Sequence, residues 1–283
     1  MLWSAIKTPR GMTGLALAAI VVLVAAIGPF VAPNPPDALV TLVFGKPSGQ
    51  FLAGSDYLGR DVLSRALNGG WVLLIMAACA TVIGVAGGAA AGVSAAYLRG
   101  VSDGIIMRAA DVILSFPQIV FALLLLSLLG PQLWLITLAV GVSHVPQVAR
   151  VLRSATLDVS ERDFVKAAEL QGMGPAAVMW REILPNLVSP LMVETGLRLT
   201  YSIVIMAGLA FLGFGQAPPA PNWGTMINEN LEGLSLNPWA VVVPVLLIAV
   251  LTIGTNMFTD AFARVAIGVD RQPEEATLID DLG

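Results

Sequence analysis

Glu194 and Arg198 stand four residues apart within a long apolar run, so on a helix they share one face and can pair. Charged groups in such a run are expensive unless they face a bundle interior or water. The pair has two readings: it lines a polar pathway, or it snorkels at the nearer end of its helix. His144, the only histidine, sits in another apolar run. It could relay protons, but no acid lies near it in sequence, and a structural hydrogen bond across helices is the simpler account. Asp260 stands near the end of a third run. Upstream, in LAGSDYLGRDVLSRALNGG, Asp56, Arg60, Asp61 and Arg65 alternate in sign at helical spacings. Asp61 to Arg65 is a favourable i,i+4 pair, which suits a short helix on a membrane surface, either a solvated cap or a solute contact. Enzymatic chemistry finds no support: there is no spaced His/Glu metal motif and no Ser/His pair. Gly45-Lys46 runs into Pro47 without the glycines of a phosphate loop. A single cysteine, Cys79, excludes a disulfide framework and a Cys-based metal site, and it reads as a small core residue. No cofactor and no metal is expected on this chain.

Composition indicates what positions these groups. Hydrophobic residues make up 57% and charged residues 12% of 283 positions, with a mean hydropathy of +0.82. Soluble domains carry about a quarter charged residues. One core cannot hide so much apolar surface, so the surplus faces lipid and the expected class is an all-α polytopic membrane protein. The net charge of −4 owes part of its value to an acidic tail and says nothing of nucleic acid. Six spans are expected, at about Met12–Val31, Trp71–Leu98, Ala109–Leu129, Leu133–Val151, Leu187–Gly213 and Pro238–Phe262, because about 20 helical residues cross a bilayer. The first is read as retained. Its apolar run exceeds the ~7–15 residues of a signal-peptide core and ends in Pro-Asn-Pro-Pro. Residues 1–11 precede it, 32–70 form the longest polar excursion, Arg99–Arg108 a short turn, and 268–283 a charged tail, partly disordered. Gly84, Gly88 and Gly92 recur every four residues, a seam on which another helix packs closely. Pro117 should bend the third span.

Between the fourth and fifth spans, Asp163–Pro185 is a polar island within the connection 158–185. It reads as a helix–turn–helix. Ser160 with Asp163 makes a capping-box-like start, Gly172 a stop, Pro175 the start of a second helix, and Pro185 its end. Six spans put the island and both termini on one side. That side holds eleven of the fifteen Lys and Arg, the other three (Lys46, Arg60, Arg65), and Arg198 lies in a span. The positive-inside rule therefore assigns the island to the cytosol. Two short helices joined rigidly to spans could pass a partner's rigid-body motion into the bundle. Phe164, Ala167, Ala168 and Leu170 would give apolar contacts, and Arg162, Lys166 and Glu169 a charged rim.

Lys166-Ala167-Ala168, Gly172 and Ile183-Leu184-Pro185 resemble the EAA loop of ABC importer permeases, with Lys166 where Glu is usual. LGRDVLSR (58–65), MRAADVILSFPQIVFALLLLSLLGP (107–131), REILPN (181–186) and AFLGFGQAPPAPNWGTMI (210–227) are similar, in this order, to the dipeptide/oligopeptide/nickel permease family, C-type (DppC/OppC-like) subunit. The likeness runs from Met12 to about Ile267. It implies a type I ABC importer permease in a bacterial cytoplasmic membrane. The implied partners are a homologous B-type permease, two cytosolic ATPases that hold ATP and magnesium, and an extracytoplasmic binding protein. It also implies ATPase coupling through Phe164, Lys166, Ala167, Ala168, Glu169, Gly172, Met173 and Pro185. An acid often occupies the place of Met206 in the family's fifth span, so Met206, with Glu194 and Arg198, is a pathway candidate without that charge. Solutes of the family include dipeptides, longer peptides, glutathione, nickel complexes and haem compounds, with selectivity set largely by the binding protein. The alternative reading is an ion-coupled secondary transporter using His144, Glu194, Arg198 or Asp260, although the pseudo-symmetric halves of many such proteins are absent.

Overall fold

The computed structural model describes residues 2–268. The acidic tail expected at 268–283, and with it Arg271, lies outside the described residues from 269 onward. In chain order the helices are α1 (Leu2–Lys7), α2 (Pro9–Val31), α3 (Val62–Asn68), α4 (Trp71–Leu98), α5 (Gly100–Leu114) and α6 (Gln118–Leu129). They continue with α7 (Leu133–Ser160), α8 (Asp163–Leu170), α9 (Pro175–Val178), α10 (Val188–Leu209), α11 (Trp223–Glu229) and α12 (Trp239–Ile267). The described residues contain no strand, only isolated bridges between Leu39 and Arg60 and between Ser55 and Asp61.

The glycine seam sets the register of the bundle. A Cβ on Gly84 would stand 2.6 Å from the His144 Cβ, and one on Gly92 would strike the Ala149 backbone, so α4 and α7 run parallel in close contact. A second small-residue crossing, absent from the sequence reading, joins α2 to α12: a Cβ on Gly14 would meet Phe258 N at 2.6 Å and Gly254 O at 2.8 Å. Gly196 lies against Thr259, and Thr200 Oγ1 donates to Thr255 Oγ1 at 3.1 Å, so α10 runs antiparallel to α12. Ala5 packs with Phe262 and Val265. By this register the starts of α2 and α10 share one end of the bundle with the finishes of α4, α7 and α12, and the α8–α9 island joins them.

Several expected boundaries shift. Among the described residues, five helical stretches are long and apolar enough to cross a membrane, and a sixth crossing exists only if a bent pair is counted as one span. That pair is α5 and α6, set at 84° across a break at Pro117, where a single bent span was expected. Proline lacks the N–H that the ladder needs and drives the preceding residue, here Phe116, out of the α region. The 12 residues of α6 reach only about 18 Å. The expected turn Arg99–Arg108 is instead the start of α5; the reversal occurs at Arg99 and Gly100, both at positive φ (55° and 61°). The fourth span continues to Ser160 rather than Val151 because Leu152, Thr156 and Val159 extend its buried face beyond the apolar run. Cys79 is exposed on the outer side of α4, not in the core.

Two cores result. The larger gathers Leu73, Leu126, Ile136, Ile203, Leu209 and Trp223 in the body of the bundle. The smaller, at the island end, joins Val93, Leu152, Val165, Val178, Ile183 and Leu187.

Candidate functional site

The island forms a helix–turn–helix with a different beginning and end from those expected. Ser160 does not cap it: its Oγ bonds back to Leu157 O at 3.0 Å inside α7, and Arg162 occupies the N-cap without a side-chain bond. Gly172 makes the stop at φ +81°, with no atom within 4 Å of where a Cβ would lie, so glycine is required there by conformation rather than space. Pro175 opens α9 at the first position. Pro185 does not close the second helix. A π-helical turn (Met179–Ile183) and a 3₁₀ turn (Leu184–Leu187) carry it without a break into α10. The second limb of the island is thus a rigid extension of the fifth span.

One edge of α8 is buried and the other is free. Val165 and Ala168 lie in the smaller core and Met173 packs against it, so Ala168 offers no contact to a partner. Phe164, Lys166, Ala167, Glu169, Gly172 and Pro185 are at the surface. Leu170 is 90% exposed, covered by nothing in the chain. Glu169 is engaged internally: Tyr97 Oη, at the end of α4, donates to its Oε1 at 2.7 Å. Nearby, Arg153 of α7 grips Asp103 of α5 with two bonds of 2.6 Å, and Arg150 reaches Asp111 at 2.5 Å.

Inside the bundle, Glu194 and Arg198 are buried and face each other at 3.1 Å, close enough for an ion pair but misaligned for a hydrogen bond. Arg198 also lies 5.3 Å from the Tyr201 ring centre. They do not snorkel. His144 is fully buried in a chain of hydrogen bonds: its Nδ1 is 3.2 Å from Gln118 Nε2, its Nε2 3.0 Å from Ser202 Oγ, and Ser202 is 3.4 Å from Thr81 Oγ1. With Gln118 donating, the imidazole N–H points to Ser202, and four helices (α6, α7, α10, α4) are tied together. Met206 is buried in the larger core, and Asp260 is exposed.

At the opposite end, the alternating charges form a buried cluster rather than a solvated cap. Asp61 does not pair with Arg65; it caps α3, accepting from Leu63 N and Ser64 N at 3.3 Å each. Arg60 Nε donates to Asp56 Oδ2 at 2.7 Å, and Arg65 Nε lies 3.3 Å from the same oxygen. Both guanidiniums also reach Glu229 Oε2, at 3.4 and 3.3 Å. Arg65 further donates to the carbonyls of Pro36 (3.1 Å) and Pro219 (3.2 Å). Burial pushes the Glu229 carboxyl above the ordinary carboxylate range, against the opposing pull of Arg65 and Arg60. Trp223, fully buried, donates from Nε1 to Ala66 O at 2.7 Å and anchors α11 on α3.

Comparison with known proteins identifies this architecture. Residues 84–266 match the family described as "Binding-protein-dependent transport system inner membrane component". The chain belongs to that family. Among curated relatives, it is 32% identical to the dipeptide transport system permease protein DppC of Haemophilus influenzae, over 91% of this chain and 90% of that one. It is 32% identical to the di/tripeptide transport system permease protein DppC of Pseudomonas aeruginosa, over 91% and 88%. To the glutathione transport system permease protein GsiD of Escherichia coli it is 35% identical over 76% and 71%. The chain is thus a multi-pass inner-membrane permease of an ABC importer, a non-enzymatic transport component that works with ATPases and a binding protein. Sequence reasoning about this permease overlooked Tyr97, Gln118, Ser202 and Glu229. Each is tied to a partner at least 26 residues away, and no periodic pattern records such a pairing.

Proposed function

We propose that this permease is one of two membrane halves of an importer for di- or tripeptide-like solutes, with the island as the element on which an ATPase subunit docks. The observation that carries this is the island's construction. Its first helix leaves Phe164, Lys166, Ala167 and Leu170 free, while its second limb is continuous with α10 and seated in the smaller core. A push on the free edge therefore moves spans rather than a loop. Both termini and the island lie in the cytosol on this reading, with two ATPases holding ATP and magnesium and a binding protein delivering solute from outside. A homologous B-type permease packs along the apolar groove of about 550 Å³ formed by Val85, Ala89 and Val93 of α4, Met179, Trp180 and Leu191. Solute crosses between the two permeases, and Glu194, Arg198 and Met206 are the pathway candidates of this chain. The names of the relatives, dipeptide, di/tripeptide and glutathione permeases, support a peptide-like solute.

The test is reconstitution of the four-subunit complex with its binding protein in liposomes. ATP-dependent uptake of a labelled dipeptide is expected. In Gly172→Val, where a β-branched residue cannot hold φ +81°, the uptake per ATP hydrolysed should fall at least tenfold. Uptake at the original stoichiometry by that variant would remove the island from the coupling path.

A further inference from the structure

We infer that Tyr97 is a positioning residue that braces α4 to the docking helix, and that Glu169 serves this internal brace instead of contacting the ATPase. The inference rests on the docking role proposed above.

The island has two limbs, and they are attached to the bundle differently. The second limb is covalently continuous with α10 through the π and 3₁₀ turns. The first limb, α8, is joined by the chain to α7 through Glu161 and Arg162 and to α9 through the turn 171–174, and its only ties to the spans beyond these are made by side chains. Its inward residues Val165 and Ala168 sit in the smaller core, and the Tyr97 ring packs against that same core. The Tyr97 hydroxyl extends past it and donates to Glu169 Oε1 at 2.7 Å, the length of a charge-assisted bond. Tyr97 is therefore amphipathic in use, its ring under α8 and its hydroxyl on the rim.

The other end of this link is α4, whose glycines let it lie flush on α7. Two rigid helices in contact at backbone distance move together. A displacement of α8 applied at Leu170 or Phe164 thus enters α7 through the chain and α4 through Tyr97. Without the Tyr97 contact, α8 keeps its chain links to α7 and α9, but its rim is no longer tied to α4 and part of the displacement is lost there. Arg153 and Asp103, gripping at two 2.6 Å bonds, fasten α5 to the same pair of helices and complete a stiff block at this end. Lys166 stands on the exposed edge of α8 while Glu169, one turn on, is engaged by Tyr97.

The experiment compares Tyr97→Phe, Glu169→Gln, Glu169→Ala and the double variant Tyr97→Phe/Glu169→Ala in the complete complex with its ATPases and binding protein, in liposomes. The readouts are dipeptide uptake and ATP hydrolysis, with co-purification of the ATPases as a separate measure. Removing only the hydroxyl should lower solute moved per ATP about threefold to tenfold, the net scale of one solvent-exposed hydrogen bond. Glu169→Gln retains an accepting oxygen and should recover most of the ratio. Glu169→Ala should match Tyr97→Phe, and the double variant should be no worse than either single one. An unchanged ratio in Tyr97→Phe, or additive losses in the double variant, would overturn the brace. Phe164→Asp separates this from failure of docking. If it strips the ATPases while Tyr97→Phe transports at the normal ratio, docking stands and the brace is wrong. If neither variant affects recruitment or ratio, the docking role fails and the brace with it.

Discussion

At the scale of single residues, Arg65 concentrates the most consequence. Its guanidinium is 1% exposed and joins Asp56, Glu229 and the carbonyls of Pro36 and Pro219. Arg65→Ala leaves the carboxylates of Asp56 and Glu229 sharing the single guanidinium of Arg60 and should cost about 3 kcal/mol, read from unfolding of the purified permease in detergent. Arg65→Lys restores a point charge but not the planar fork, and should recover less than half of that loss. Glu229 gives a pH signature. Burial raises its folded-state pKa above the unfolded value, so the folded form binds the proton more tightly. Stability should then fall as pH rises from the ordinary carboxylate range through the raised value. Melting temperatures from pH 4 to 7 should show this decline in the parent relative to Glu229→Gln, and parallel curves would refute it. The spacing of Asp56, Arg60 and Arg65 was visible in the sequence. That they converge on Glu229 was not, because the carboxylate arrives from the end of α11, over 160 residues away.

At the scale of elements, the glycine seam was legible because close helix approach leaves a periodic record. Gly84, Gly88 and Gly92 repeat every turn, and each would meet α7 if it carried a Cβ. Gly88→Val should separate α4 from α7 at a cost of roughly 1–3 kcal/mol or more, seen as lost folded yield and earlier melting. Gly104, in α5 with nothing within 4 Å, is the contrast. Gly104→Ala should be neutral or stabilise by up to about 1 kcal/mol. If the two substitutions behave alike, the seam is not what holds these helices. In the third span the bend at Pro117 was legible and its size was not. Proline announces a break but not its angle; in the 84° arrangement α5 meets α7 through Asp103–Arg153 and Asp111–Arg150, and α6 meets it through Gln118 and His144.

At the scale of the whole molecule, the predictions concern sidedness and energy source. A cysteine replacing Glu232, between α11 and α12, in a chain with Cys79→Ala, should react with an impermeant thiol reagent added outside intact cells. Labelling only after the cytosolic face is opened would invert the topology. Uptake should persist when proton and sodium gradients are collapsed and stop when ATP is withdrawn. The reverse would favour ion coupling through the intramembrane charges. Both ring nitrogens of His144 face neutral partners, Gln118 and Ser202, an arrangement that suits a tie between helices.

The sequence alone determined the class, the approximate spans, the island and its glycine stop. These follow from the local cost of apolar surface in water, of backbone polar groups in lipid and of positive φ, and each such cost is written residue by residue. Only the tertiary structure decided that Pro185 continues a helix instead of ending one, that Ala168 faces inward, that Glu169 is held by Tyr97, and that the far-side charges are buried. Those outcomes depend on which distant surfaces meet. A charge or a proline has the same local preferences in either arrangement, and packing between elements selects the one observed.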